Sequence, residues 1–213
     1  MPKNLHARAP YPLTGDEQRL LFSWLPKHLA EMALFKVNTG TREGEVCGLL
    51  WAWEIDVPEL QTKVFVVPKE NVKNREDRLI VLNETAKAVI ESRRGKHPTH
   101  VFAHNGESMT KMNNTVWQRA RKEAAGQYEE ELGRKVPVHF ARVRVHDLKH
   151  TYGRRLRAVD VSMETRKALL GHKNGDITTH YSIAEISELL TASNRICTVK
   201  GTPSITLLRA AAA

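Results

Sequence analysis

Four residues in the C-terminal third of the chain have the types and order needed to act on a phosphate ester. The run VHDLKHTYGRR (Val145–Arg155) holds His146 and, three positions on, Lys149. The run ALLGHKNGDITTHYS (Ala168–Ser182) holds His172 directly after Leu170-Gly171, and Tyr181 nine positions later. A phenol attacks a phosphodiester only where cations hold the target and a neighbour takes the phenolic proton. Two imidazoles, a lysine and a tyrosine supply those parts. Taken singly, each is ordinary: one histidine is more often a core residue, and one tyrosine in a polar run is usually surface.

Two upstream segments carry further candidates. Arg42 follows Thr39-Gly40-Thr41, and Glu45 lies three positions on, so the two share a helix face. As an exposed ion pair they would contribute little. At a helix N-terminus, Arg42 would bring a guanidinium and backbone donors to the same anion. The second segment is the polar turn between Lys63–Val67 and Arg78–Leu82, which carries Lys69, Lys73 and Arg75. Hairpin lysines usually protect a sheet edge.

In this order, Arg42, the hairpin lysine, His146, residue 149, Leu170-Gly171-His172 and Tyr181 resemble the tyrosine recombinase (phage integrase) family, specifically its catalytic domain. The resemblance runs from roughly residue 13 to residue 190. It implies a site-specific recombinase, an integrase that cleaves and rejoins DNA through a 3′-phosphotyrosyl intermediate formed by Tyr181. Arg42 and Lys149 would clamp the scissile phosphate. His146 would accept a proton or bind the phosphate. His172 would hydrogen-bond the phosphate. Lys73 would protonate the leaving 5′-hydroxyl, with Lys69 as the alternative. Glu45 would buttress this helix region. The covalent intermediate conserves bond energy, so no cofactor, metal or ATP is required. The sequence agrees, with no P-loop, no zinc-type Cys/His spacing and no acidic cluster suited to magnesium.

Lys149 departs from the family pattern, which has an arginine there. Lysine keeps the charge but loses the planar fork that makes two parallel bonds to a phosphate. One such bond is worth roughly 1.5–3 kcal/mol, or about tenfold to a hundredfold in rate. Two readings follow: an active enzyme that tolerates Lys149, or an attenuated integrase-derived DNA-binding protein with little strand transfer. A third, from another class, is an architectural DNA-binding protein with no chemistry. It is supported by the basic surface and opposed by Tyr181 and the Leu-Gly-His run.

Composition is compatible with all three. Lys and Arg number 33 against 24 Asp and Glu, giving a net charge of +9 and a pI near 9.7, which favours a polyanionic partner such as nucleic acid. The resemblance makes that partner a double-stranded recombination site, held by a tetramer. The isolated chain would be a monomer or would dock its own tail. Cys47 and Cys197 are too few for a disulfide framework, and fit a reducing bacterial cytosol, the chain being bacterial or phage-encoded. No apolar run approaches the roughly 20 residues of a membrane span, and the start MPKNLHARAP has no signal-peptide core.

The elements that must position these residues read as α+β, mainly helical, with a small three-stranded antiparallel sheet packed on a helical bundle. Residues 1–12, basic and proline-containing, read as a linker or flexible arm; 13–190 as the catalytic domain; 191–213 as a less patterned tail, possibly exchanged between subunits. By resemblance, a core-binding domain would precede such an arm. Thr14 and Glu17 form a capping box for a helix with Leu20, Leu21, Trp24 and Leu25 on its apolar side. Pro26 opens the next helix, and Gly40 ends it. Thr41 is the expected cap of the short helix that follows. Strands are expected at Trp51–Ile55, Lys63–Val67 and Arg78–Leu82. Asn83 caps a further helix, Val101-Phe102 forms a buried anchor, and a helix is expected from about 110 to 125, with Met112, Val116, Trp117 and Ala120 on one side. In the helix at 147–158, Leu148, Tyr152 and Leu156 form the apolar stripe, and Arg154 is placed on a different face from Lys149. Gly153 marks close packing, Ser162 caps the helix that Gly171 ends, and Ser182 caps an amphipathic helix.

Overall fold

The computed structural model describes residues 8–172 and 182–198. The order is α1 (Gly15–Ser23), α2 (Lys27–Thr39), α3 (Glu43–Cys47), β1 (Glu54–Val57), β2 (Thr62–Val67), β3 (Arg78–Val81), α4 (Glu84–Arg93), the hairpin β4 (Ala103–His104) and β5 (Glu107–Ser108), α5 (Thr115–Gly126), α6 (Tyr128–Leu132), α7 (Val145–Ala158), α8 (Met163–Leu170) and α9 (Ile183–Thr198). The expected class holds: mostly helical, with one three-stranded antiparallel sheet in the order β1-β2-β3.

Local chemistry sets most boundaries. Thr14 Oγ1 accepts from the Glu17 amide and the Glu17 carboxylate accepts from the Thr14 amide, closing the box that starts α1. Asn83 and Ser162 cap α4 and α8 through their side-chain oxygens. Ser182 and Glu185 repeat the reciprocal arrangement at α9. Gly40 ends α2 with φ +65°, and a Cβ there would lie 2.6 Å from Tyr152 Cδ1, so both backbone hand and packing require glycine. Gly153 does mark close packing: a Cβ there would lie 3.1 Å from Leu170 Cδ1.

The pleat of the sheet divides the core. Phe65, Val67 and Ile80 join Leu13, Leu20, Leu29, Phe35 and Trp117 in the larger apolar cluster. Val64, Leu79 and Val81 join Tyr152, Leu156, Leu169, Ile186 and Leu189 in the smaller one. Both faces of the sheet are thus covered, which its near-continuous apolar runs require. Tyr152, fully buried, ties α7 to α9 through Ser193, its hydroxyl 2.8 Å from Ser193 Oγ.

Several expectations are corrected. Trp51–Trp53 forms a turn of 3-10 helix, and the strand begins only at Glu54. Trp24 ends α1 as an exposed cap, its indole donating to Gln127 Oε1. Arg42, not Thr41, is the N-cap of α3; Thr41 is buried beside Thr39. Helix α5 starts at Thr115 on an Asn114 cap, and Val116 faces outward. The region beyond Thr191 continues α9 to Thr198, because Ala192 and Ile196 extend the buried spacing of Ile186 and Leu189. Residues 8–13 are an ordered strap along α7 rather than a loose arm. Arg8 donates to Asp147 Oδ2 at 3.0 Å, the Tyr11 amide to Asp147 Oδ1 at 3.1 Å and the Leu13 amide to Thr151 Oγ1 at 3.0 Å.

Candidate active site

Four separate segments converge on one open groove of about 530 Å³. The α2–α3 junction supplies Arg42, the β2–β3 turn supplies Lys73 and Asn74, and the first turns of α7 supply His146, Lys149 and His150. The turn after α8 supplies His172. Five of the six residues expected from the sequence, Arg42, Lys73, His146, Lys149 and His172, therefore line the same space. The sixth, Tyr181, lies outside the described residues. Of the two hairpin lysines, Lys73 lines the groove; Lys69 sits in the preceding 3-10 turn, its amide donating to Asp77. The described lining contains no carboxylate, hydroxyl or thiol.

Arg42 is fixed on three sides. Its Nη1 donates to Glu45 Oε1 at 2.7 Å, and its amide donates to Glu45 Oε2 at 2.8 Å. Its Nη2 reaches Asn74 Oδ1 and the Gly171 carbonyl, each at 3.2 Å. The Arg42–Glu45 pair is not an exposed one, since the carboxylate is almost fully buried. Burial opposes the charge of Glu45, but the Arg78 guanidinium and the bonds from Arg42 outweigh it and hold the carboxyl below its usual range.

Several of the groove's bases are pushed toward their neutral forms. Burial first, then the charges of Arg78 and Arg42, push the Lys149 ammonium from its ordinary 10.5 down to about 6. Its Nζ donates to the Leu170 carbonyl. Burial, His150 and the charges of Lys36 and Lys149 bring His146 down to about 4. The rings of His146 and His150 meet edge to face, 4.8 Å apart. His172 is lowered in the same way, by burial and then by Lys149, Arg42 and Arg78.

These shifts predict a pH dependence of stability. Between about 6 and 10.5 the unfolded chain protonates Lys149 and the folded chain does not. The unfolded state thus binds more protons there, and stability rises with pH. His146 acts in the same direction between about 4 and 6.5. Thermal melting midpoints should climb from pH 4 toward pH 9, and Lys149→Met should flatten the part of the curve above pH 6. A Lys149→Met curve parallel to the wild type would refute the buried, neutral amine.

Sequence reasoning missed part of the groove. Arg154, placed on another face, lines the same space, as do Arg157 and Arg166. The signal was available: His146, His150, Arg154 and Arg157 follow one another at intervals of four, four and three, one face of α7. Pro10 and Pro12 of the strap also border the groove.

The fold is shared with a lambda integrase tetramer bound to a Holliday junction (TM-score 0.60, 20% identity, covering 81% of this chain and 50% of that one). It is shared with the Tn1549 transposon integrase in complex with circular intermediate DNA (TM-score 0.56, 17% identity, 88% of this chain and 63% of that one). It is shared also with XerA recombinase (TM-score 0.53, 18% identity, 90% of this chain and 66% of that one). Residues 13–187 match the phage integrase family, and the chain belongs to that family. The integrase of Salmonella phage P22 is 27% identical over 204 residues, which are 94% of this chain and 50% of that protein. The chain thus spans about half the length of the curated relative it matches. No helix among the described residues is long and apolar enough to cross a membrane.

Proposed function

We propose that this chain is the catalytic part of a site-specific DNA recombinase that cleaves and rejoins strands through a 3′-phosphotyrosyl intermediate. The observation that carries the reading is the convergence of Arg42, Lys73, His146, Lys149 and His172 on one groove whose described lining is free of negative side chains. Such a wall suits a phosphodiester, whose charge grows as phosphoryl transfer proceeds.

Tyr181 Oη attacks the scissile phosphorus, and the bond from phosphorus to the 5′-oxygen breaks. His146, neutral at pH 7 in the empty groove, takes the phenolic proton. Lys73 gives a proton to the departing 5′-oxygen. Arg42 and Lys149 hold the non-bridging oxygens, and His172 donates a further hydrogen bond. Religation runs the same steps in reverse with a new 5′-hydroxyl. The partner is double-stranded DNA carrying a recombination site, and the assembly on it is a tetramer, as in the lambda integrase structure.

One observation favours a second reading, an attenuated DNA-binding protein. The Lys149 amine is buried and spends its bond on the Leu170 carbonyl. One assay separates the two. The protein is incubated with supercoiled plasmid without divalent metal or ATP, denatured, and digested to find peptides bearing nucleotides. A nucleotide-bearing peptide covering Tyr181 is expected. Binding with no adduct would favour the second reading, and an adduct on any other residue would overturn the first.

A further inference from the structure

Arg78 belongs to none of the segments that face the groove. It is the first residue of β3, just after the turn that carries Lys73 and Asn74, and only 4% of it is exposed. Its guanidinium forks onto the end of α8: Nη1 donates to the Ala168 carbonyl at 2.9 Å and Nη2 to the Leu169 carbonyl at 2.5 Å. Nη2 also lies 3.5 Å from the Thr39 carbonyl, at the end of α2. Its stem passes directly against Gly171, where a Cβ would come within 2.6 Å of Arg78 Cδ and Nε.

The last carbonyls of a helix lack partners within it and carry its negative partial charge. Here four consecutive carbonyls are met by basic or amide side chains. Arg78 takes Ala168 and Leu169, Lys149 takes Leu170, and Arg42 with Asn74 takes Gly171. Arg42 and Lys149 face the groove and can turn to an incoming phosphate. Arg78 is buried behind them and stays.

We propose that Arg78 is a positioning residue for the reaction: it holds the end of α8 in place, keeping His172 at the groove while Arg42 and Lys149 exchange carbonyl partners for phosphate. This rests on the recombinase reading for its purpose but not for its geometry. A lysine at position 78 would keep the charge and lose the fork onto two carbonyls.

The test uses the whole chain with Arg78→Lys and Arg78→Met. Adduct formation on supercoiled plasmid should fall roughly tenfold to a hundredfold in Arg78→Met, the scale on which a misplaced reacting geometry is felt. DNA affinity should be retained, and Arg78→Lys should recover part of the rate. A second readout needs no reaction. The titrations of the His172 and His146 rings are followed by NMR, each assigned with a His→Asn variant. His172 is held down by burial and by Lys149, Arg42, Arg78 and His150, whereas the groups acting on His146 are His150, Lys36, Lys149 and Asp147. Arg78→Met should therefore move the His172 midpoint up toward 6.5, and by more than it moves His146, which Arg78 reaches only through Lys149. Equal shifts at both rings would mean general loosening and overturn the proposal, as would an unchanged His172 midpoint with an unchanged rate. Should Arg78→Met not fold, the Arg78→Lys variant decides: a wild-type rate and titration there would refute the need for a fork. Should the wild type form no adduct, the recombinase reading fails, and the titrations still decide what Arg78 does.

Discussion

Replacing Tyr181 with phenylalanine is expected to abolish covalent adducts and plasmid relaxation, by at least about 10⁴-fold, the scale on which loss of a covalent nucleophile is felt. Binding to the same DNA should be unchanged, because the groups that would bind phosphate belong to Arg42, Lys73, Lys149 and His172. The described groove lining offers guanidinium, ammonium, imidazole and amide groups, but no oxygen or sulfur nucleophile. On the proposed reading the nucleophile is the phenol of Tyr181, which follows His172 by nine residues. The informative failure is an adduct that persists in Tyr181→Phe. A phosphorus–nitrogen bond to His or Lys would then be the alternative, recognisable by its lability in acid.

The second large effect belongs to Lys149→Arg. The guanidinium would supply two parallel bonds where the amine supplies one, and the rate of adduct formation should rise about tenfold to a hundredfold. It should also change the pH dependence. In the empty groove the amine titrates at about 6 and is mostly neutral at pH 7. A bound phosphate favours its charged form, so binding at pH 7 takes up a proton and affinity falls as pH rises. Arginine is charged throughout, so the variant should lose this part of the slope. Calorimetry in buffers of different ionisation enthalpy would count the protons directly. No gain in rate, with proton uptake equal to the wild type, would show that residue 149 does not meet the phosphate.

What was legible in the sequence was whatever local chemistry decides. Thr14 with Glu17, Ser162, Gly40 and Gly171 mark helix ends through a few neighbouring atoms, and the runs Lys63–Val67 and Arg78–Leu82 are β-branched enough to need no partner for recognition. The groove's residues were legible because their types and order survive in the chain even though their distances do not. What escaped depends on distant partners. Arg78 reads as the polar first residue of an apolar strand; its role exists only because carbonyls 90 and 91 positions away end a helix beside it. Lys36 lies among apolar residues of α2 and is fully buried, its amine on the Thr41 carbonyl. Burial first lowers that amine to about 8, and no spacing rule announces it. The strap at residues 8–13 looked loose because prolines and basic residues usually are. Its anchor, the fully buried Asp147, lies on the far side of the sequence.

A groove walled by positive and neutral groups is a poor judge of what it holds. The attraction of its basic side chains extends to any anion of suitable shape, so heparin, RNA and inorganic sulfate should all compete for it. On the proposed reading, holding a phosphate and choosing a sequence are then separable tasks.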